Sequence, residues 1–232
     1  MYTFDSRIRY SETDSEGKLT LGALINYFQD CSTFQSEDIG MGLQFLKEHD
    51  LAWVLCSWQI VVDRYPKMGE KVTIGTFPYD FKAFLGYRNF FLQGEDGYIA
   101  KANSIWSLLD VGNAKPVVVS KETAEAYHIE DRLEMEYAGR HITVAEGGRR
   151  EEPILIRKHH LDTNHHVNNG QYVNMALELL PQEKQVKELR VEYKKQAFLG
   201  DILYPYVVQE GDKYGISFRT EAGAVYANVE VK

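Results

Sequence analysis

The sequence predicts an α+β protein made of two fused copies of one unit, each a single helix packed against a mainly antiparallel sheet. Two observations support this prediction. First, the order strand, helix, four strands occurs twice within the 232 residues. Second, residues match between the copies: Asp14 and Gly22 recur 148 positions later as Asp162 and Gly170. Internal similarity on this scale indicates repetition of a whole structural unit.

The first copy is predicted to begin with a strand over residues 2–10 and a helix over residues 21–38. The apolar residues of that helix recur at helical spacing, and glycines at 40 and 42 predict its end. Four segments rich in β-branched and aromatic residues predict strands. They span residues 53–63, 72–79, 84–93 and 98–110. A second helix is predicted after Ser120.

After a linker of small and charged residues, the second copy repeats this order. Its first strand is predicted over residues 154–158, and its helix, which carries Tyr172, is predicted to stop at Pro181. The remaining strands are predicted over residues 189–195, 202–209, 214–220 and 225–231. The predicted boundaries are 1–133 for the first copy, 134–152 for the linker and 153–232 for the second copy.

Composition limits the classes of function. A hydrophobic fraction of 44% suffices for packed cores, and a net charge of −8 argues against broad binding to nucleic acid or anionic membranes. No apolar run approaches the ~20 residues that cross a bilayer, and neither end reads as a secretion leader. Cys31 and Cys56 are too few for a disulfide framework. We therefore expect a cytoplasmic protein with free thiols.

The segment Asp-Thr-Asn-His-His-Val-Asn-Asn, residues 162–169, concentrates carboxylate, amide and imidazole groups directly ahead of the second-copy helix. The first copy supplies an internal control, because a residue set needed for folding should occur in both copies. The equivalent triplets are Asp162, Asn164 and His166 in the second copy and Asp14, Glu16 and Lys18 in the first. Only the aspartate is retained. This favours a functional interpretation of Asn164 and His166 and a more structural one of Asp162.

The chain resembles the acyl-ACP thioesterases of plants and bacteria along essentially its whole length. Residues 161–172 are similar to the family signature LDxNxHVNNxxY. Supporting matches lie at residues 64–70, which read RYPKMGE, and at residues 192–195, which read EYKK. The resemblance implies a tandem hotdog fold, with two antiparallel sheets that each wrap around a central helix. It also implies that the N-terminal hotdog shapes an acyl-chain pocket and that the C-terminal one carries catalysis.

By matching motif positions, the resemblance implies that Asp162, Asn164 and His166 catalyse hydrolysis of fatty acyl-ACP. The reaction would release free fatty acid, terminate fatty acid synthesis and need no cofactor. The partner would be acyl carrier protein, with the acyl chain on its 4′-phosphopantetheine arm. Where plant members read EYRREC, this chain has Gln196 and Ala197 in place of the last carboxylate and the cysteine. We therefore expect direct attack by water, with Gln196 able only to orient water or substrate.

The sequence leaves several roles open. Asp162 and His166 can share base and orienting roles, while the free N–H groups at the start of the second-copy helix can face the developing oxyanion. The asparagines at 168–169 are expected to cap that helix, and His165 to be exposed or structural. Gln196 is compatible with a position facing solvent or the groove between the halves.

Other functions also fit the sequence. An acyl-CoA thioesterase would use the same chemistry on another carrier, and a non-catalytic acyl-binding protein would share the fold. The histidine pairs around Asp162 allow a zinc or iron site, although HHxDxxHH is not a standard ligand pattern. A tandem repeat is compatible with a monomer or a homodimer.

An acidic carrier requires a local basic surface on a protein of net charge −8. Candidate basic residues cluster in the second half of the chain. They are Arg149, Arg150, Arg157, Lys158, Lys187, Arg190, Lys194 and Lys195. The large apolar residues of the first half are expected to form core and, in part, to line an acyl pocket. They are Trp53, Leu55, Trp58, Phe84, Phe90 and Phe91.

Overall fold

A computed structural model of the protein describes residues 1–181 and 184–232. They form two compact units. The first unit comprises residues 1–56 and 60–137, and the second comprises residues 57–59 and 138–232. In each unit, a helix follows the first strand and an antiparallel sheet makes up most of the remainder. The structure therefore confirms the predicted α+β class.

The first unit contains strands β1 (Tyr2–Arg7), β2 (Leu51–Val62), β3 (Lys71–Lys82), β4 (Leu85–Gly94), β5 (Gly97–Asp110) and β6 (Lys115–Pro116). Residues 57–59 of β2 are the part of that strand that groups with the second unit. The helices of the first unit are α1 (Leu21–Asp38), α2 (Leu43–Glu48) and α3 (Lys121–Tyr127), with a short 3-10 helix at Tyr10–Glu12. The sheet order is β1-β3-β4-β5-β2, and β6 pairs with β5.

Helix α1 packs its apolar stripe against this sheet. The stripe includes Leu24, Ile25, Phe28 and Cys31, all of them buried. The centroid of the Phe28 ring lies 5.4 Å from that of the Phe90 ring on β4. Burial of one such side chain stabilises the folded state by about 1.5–3 kcal/mol. At the helix start, the Thr20 hydroxyl accepts a hydrogen bond from the Ala23 N–H at 3.2 Å. The helix ends at Asp38, as predicted.

The second unit contains β7 (Arg149–Arg150), β8 (Ile154–Leu155), β9 (Glu188–Tyr193), β10 (Ile202–Glu210), β11 (Lys213–Arg219) and β12 (Val225–Val231). Its helix is α4 (Asn169–Leu177), and a short 3-10 helix covers Lys158–His160. Its sheet has the order β9-β12-β11-β10, with β7 and β8 both paired to β10. Strands β8, β10, β11, β12 and β9 thus repeat the order of β1, β3, β4, β5 and β2. This shared order confirms that the chain duplicates one unit.

Several short elements differ from the prediction. The predicted first strands, 2–10 and 154–158, end at Arg7 and Leu155, and in both copies a 3-10 helix follows. The two-residue strands β6 and β7 and the helix α2 were not predicted. Helix α2 has six residues, and none of them is buried. The sequence therefore carries no buried apolar stripe that would predict this helix. No helix within the described parts of the chain is both long and apolar enough to cross a membrane.

The large apolar residues of the first half divide by burial. Leu55, Trp58, Phe90 and Phe91 are buried. In contrast, Trp53 is half-buried and Phe84 is 37% exposed. Phe84 is therefore not part of the core that the sequence predicts for these residues.

The chain ahead of β7 is tied to the sheet of the second unit. The Asn228 side chain donates to the Ile142 carbonyl oxygen (2.9 Å), and the Ile142 N–H donates to the Glu192 carboxylate (3.0 Å). The Arg190 guanidinium donates to the Gly139 carbonyl oxygen (2.6 Å). These bonds give partners to the Asn228 side-chain NH2 group and the Ile142 N–H, and they join residues 139–142 to β9 and β12.

Candidate active site

The segment ahead of α4 forms a closed turn that is organised by Asp162. The Asp162 N–H donates to the His166 carbonyl oxygen at 2.8 Å. Its carboxylate atom Oδ1 accepts from the backbone N–H groups of Asn164 (2.8 Å) and His166 (3.3 Å). Leu161 and Val167 pair as a β-bridge at the ends of the turn. Asp162 therefore fixes the backbone of both Asn164 and His166.

The first unit contains the same turn. The Asp14 N–H donates to the Lys18 carbonyl oxygen (2.8 Å), and Asp14 Oδ1 accepts from the N–H groups of Glu16 (2.9 Å) and Lys18 (3.0 Å). Thr13 and Leu19 form the closing bridge. Because these hydrogen bonds match one for one, the aspartate has a structural role in both copies.

Only the second unit places an amide and an imidazole on this shared turn. Asn164 is exposed, and its carboxamide makes no hydrogen bond to the residues that the structure describes. His166 is half-buried, and its ring meets the Phe198 ring edge-on with the centroids 4.9 Å apart. Its ring nitrogens likewise make no hydrogen bond within the described chain. Both side chains are therefore available to water or substrate.

Gln196 lies on the segment that follows β9, beside the turn. His166 forms a β-bridge with Phe198, and the Val167 N–H donates to the Ala197 carbonyl oxygen at 2.9 Å. Gln196 is exposed, whereas Ala197 is fully buried. Gln196 therefore lies at the surface, next to Ala197, whose carbonyl oxygen accepts from the turn at residues 162–169.

His160 has a local structural role ahead of the turn. His160 Nδ1 accepts from the Arg157 backbone N–H (3.0 Å), as the Glu12 carboxylate accepts from the Arg9 N–H (2.8 Å) in the first unit. Partial burial lowers the pKa of His160, and the neighbouring His159 and Arg157 lower it further. His160 therefore satisfies a backbone donor in place of a glutamate.

His165 occupies a strained backbone position at the tip of the turn. Its φ is 62°, and the equivalent Gly17 of the first unit has a φ of 72°. Left-handed backbone favours glycine, because a Cβ crowds the following carbonyl group. The side chain is exposed, as the sequence predicted.

Helix α4 begins directly after the turn. Asn168 Oδ1 accepts from the Gly170 N–H at 2.8 Å, which confirms the predicted cap. The Tyr193 hydroxyl donates to the Asn169 carbonyl oxygen at 2.9 Å. Burial raises the pKa of Tyr193 far above its ordinary value, so the hydroxyl remains a donor. The sequence gives no local signal for this contact, because Tyr193 and Asn169 lie 24 positions apart.

Both cysteines lie in the first unit, away in sequence from the histidine turn. Burial raises the pKa of the Cys31 thiol to about 12, which disfavours the thiolate needed for nucleophilic attack. The structure therefore places no cysteine nucleophile on the turn. Across residues 1–181 and 184–232, no three His, Cys, Asp or Glu side chains are grouped to hold a metal ion.

The basic residues of the second half differ in exposure and in ion pairing. Arg190 pairs with Glu230 (2.9 Å) and exposes only 16% of its side chain, so it supports the sheet and offers little charge to a partner. Lys194 pairs with the buried Glu192 at 3.4 Å. Other members are exposed and form no ion pair with residues that the structure describes. They are Arg150, Arg157, Lys158 and Lys195.

Two family models match the chain. The acyl-ACP thioesterase N-terminal domain matches residues 1–127, and the acyl-ACP thioesterase C-terminal domain matches residues 145–232. Together they cover both repeats.

Curated relatives carry related names. An acyl-[acyl-carrier-protein] hydrolase, FATB1, of Cuphea viscosissima is 24% identical over 84% of this chain and 51% of its own length. A palmitoyl-acyl carrier protein thioesterase of Arabidopsis thaliana is 22% identical over 90% of this chain and 55% of its own length. The chain thus spans about half the length of these relatives.

Solved structures share the fold along the whole chain. An acyl-ACP thioesterase from Bacteroides thetaiotaomicron superposes with a TM-score of 0.90 at 23% identity, covering 99% of this chain and 96% of that one. A 12:0-ACP thioesterase from Umbellularia californica gives 0.88 at 17% identity, covering 100% and 96%. At these identities the likeness establishes the tandem hotdog fold.

Proposed function

Since the chain belongs to the acyl-ACP thioesterase family, we propose that it hydrolyses the thioester of fatty acyl-ACP and so ends fatty acid synthesis with release of free fatty acid. The names of its curated relatives support this substrate. We assign the acyl-chain pocket to the N-terminal repeat and catalysis to the C-terminal repeat. The site consists of Asp162, Asn164, His166 and Gln196.

The observation that supports this site is the contrast between two turns with the same backbone. Each turn has an aspartate that accepts from two N–H groups. Only the second carries Asn164 and His166, where the first carries Glu16 and Lys18. Because the fold is satisfied by either pair, folding does not explain the amide and the imidazole.

In the proposed reaction, His166 takes a proton from a water whose oxygen attacks the thioester carbonyl carbon. The carbonyl oxygen gains negative charge, which the positive end of the α4 helix dipole stabilises. The Gly170 and Gln171 N–H groups are bonded to Asn168, so among the first three residues of α4 the Asn169 N–H is the donor proposed for the oxyanion. The C–S bond then breaks, and His166 returns the proton to the departing sulfur. Asn164 and Gln196 hold water or substrate through their carboxamides. Asp162 fixes the turn through Oδ1, and its second oxygen shares with His166 in drawing the proton from the water.

The test compares the same acyl chain on ACP and on CoA, with wild type and two variants. His166→Ala removes the proposed base, and Lys18→Ala is its matched control at the equivalent position of the first turn. We expect His166→Ala to lower kcat on acyl-ACP by about 10²–10⁴-fold, while Lys18→Ala retains wild-type kcat. Wild-type turnover should be faster on ACP than on CoA.

Each competing function predicts a different result. Faster wild-type turnover on CoA would identify an acyl-CoA thioesterase. Absence of turnover on both carriers, with acyl binding retained, would identify a binding protein. Isolation of an acyl-enzyme intermediate would contradict direct attack by water.

A further inference from the structure

Exposed apolar side chains gather beside the candidate site in the second unit. Leu155 and Ile202 are paired directly between β8 and β10 and are 45% and 42% exposed. Phe198 and Leu199, on the turn that leads into β10, are 48% and 53% exposed. We call these four residues the apolar strip. Exposed apolar surface of this kind marks interaction sites.

Backbone contacts hold the apolar strip together and connect it to the site. The Gly200 N–H donates to the Ile156 carbonyl oxygen (3.0 Å), and the Ile156 N–H donates to the Asp201 carbonyl oxygen (2.8 Å). The turn that carries Phe198 therefore lies against the chain that leaves β8. Since His166 forms a β-bridge with Phe198, the strip adjoins the proposed base.

The first unit shows that the fold does not require apolar residues at these positions. Arg7 and Lys71 are paired directly between β1 and β3, as Leu155 and Ile202 are between β8 and β10. The equivalents of Phe198 and Leu199 are Lys67 and Met68. The same unit thus folds with charged residues at three of the four positions, and the apolar strip needs another explanation.

Unpaired cations lie at the edge of the apolar strip. In the first unit, Arg9 pairs with Glu12 at 3.6 Å. In the second, His160 replaces that glutamate, so Arg157 lacks the equivalent carboxylate. Arg157 and Lys158 are exposed and form no ion pair within the described chain. Arg157 is therefore available to an acidic partner, whereas Glu12 neutralises the equivalent Arg9.

We propose that the apolar strip, with Arg157 and Lys158 at its edge, is the docking surface for the acidic protein that carries the acyl chain. This inference rests on the proposed function. The cations complement an acidic partner, and the strip supplies the apolar contact area of a specific interface. A second copy of the chain fits less well, because a two-fold contact of strip on strip would bring the same cations together.

The test replaces the paired residues of the apolar strip by polar ones of similar size. The variant is Leu155→Gln with Ile202→Gln, and its matched control is Arg7→Gln with Lys71→Gln at the equivalent pair of the first unit. KM and kcat are measured on acyl-ACP and on acyl-pantetheine, which carries the same thioester without a protein. We expect the variant to raise KM for acyl-ACP about tenfold, with kcat and the acyl-pantetheine reaction unchanged and the control at wild-type values.

A second pair keeps the test decisive if the double variant does not fold. Leu199→Gln should raise KM for acyl-ACP, whereas Met68→Gln should not. Unchanged KM for acyl-ACP, or equal losses on both substrates, would overturn the docking inference. So would a wild-type dimer that these variants convert to monomers, because the strip would then bind a second copy. A wild type that does not hydrolyse acyl-ACP would instead overturn the proposed function.

Discussion

Asp162 holds its turn through one carboxylate oxygen, since both N–H groups are bonded to Oδ1. Asparagine also presents one oxygen acceptor, so Asp162→Asn should keep the turn while it removes the charge. We expect its free energy of unfolding to stay within about 0.5 kcal/mol of wild type. Asp162→Ala should lose about 1–2 kcal/mol. Denaturant unfolding measures both, with Asp14→Asn and Asp14→Ala as matched controls.

The kinetics of Asp162→Asn separate the structural role of the residue from its proposed share in proton transfer. If the second carboxylate oxygen accepts a proton from water, kcat on acyl-ACP falls by about 10²-fold or more at unchanged stability. Asp14→Asn should leave kcat unchanged. Wild-type kcat in Asp162→Asn would restrict the aspartate to its turn and leave proton transfer to His166.

The backbone strain at His165 predicts a stabilising substitution. With φ at 62°, His165→Gly relieves the crowding of a Cβ, as Gly17 does in the first unit. We expect the free energy of unfolding to rise by about 0.5–1 kcal/mol and Gly17→Ala to lower it by a similar amount. Thermal unfolding of both variants measures this. A fall in kcat for His165→Gly would contradict the assignment of its side chain to the turn alone.

At the level of elements, the sequence predicts long structures better than short ones. The bounds of α1 follow from its apolar stripe and from Gly40 beyond its end. Helix α2 and strands β6 and β7 are too short to develop a periodic pattern, and they bury few or none of their residues. The features of the candidate site also differ in how well the sequence predicts them. Local spacing predicts the turn at 162–169, whereas the contact between His166 and Phe198 joins distant parts of the chain and leaves no local signal.

Two carboxylates on neighbouring strands of the second unit make its stability depend on pH. Burial alone would raise the pKa of Glu192 on β9. The Ile142 N–H, His141 and Lys194 nevertheless hold it below its ordinary value of 4.5. On β12, Lys213 and Arg190 similarly outweigh burial and lower the pKa of Glu230.

A carboxylate with a lowered pKa stabilises the folded state above its unfolded pKa, and this contribution is lost as the pH falls through the folded pKa. We therefore expect the free energy of unfolding to decrease as the pH falls below about 4.5. Glu192→Gln and Glu230→Gln should be less stable than wild type at neutral pH and should show a shallower decrease in acid. Denaturant unfolding at several pH values checks this, with the exposed Glu221→Gln as control. Parallel acid limbs for wild type and both variants would contradict it.

At the scale of the whole molecule, the duplication makes the sequence unusually informative. Each unit acts as a control for the other, because equivalent positions share a backbone but differ in chemistry. Asp14 and Asp162 keep the same hydrogen bonds, whereas Lys18 and His166 do not share a side-chain chemistry. The comparison identifies what the fold requires. It does not give acyl-chain length, since pocket depth depends on how many distant side chains pack together.

The charge distribution of the whole protein predicts how salt affects the reaction. The protein has a net charge of −8, so attraction to an acidic carrier must come from local cations such as Arg157 and Lys158. Salt screens exposed charges beyond about 10 Å at 0.1 M. We expect kcat/KM on acyl-ACP to fall about tenfold between roughly 0.05 and 0.5 M salt. The rate on acyl-pantetheine should not change over this range.

The role of Arg157 and Lys158 in this salt dependence is tested by removing their charges. Arg157→Gln with Lys158→Gln should lower kcat/KM on acyl-ACP at low salt and flatten its salt dependence, because the charges that salt screens are gone. Arg9→Gln, which alters the equivalent arginine of the first unit, should leave both unchanged. If kcat/KM on acyl-ACP rose with salt, the net charge of the whole protein would dominate the encounter. The local cations would then have no part in docking.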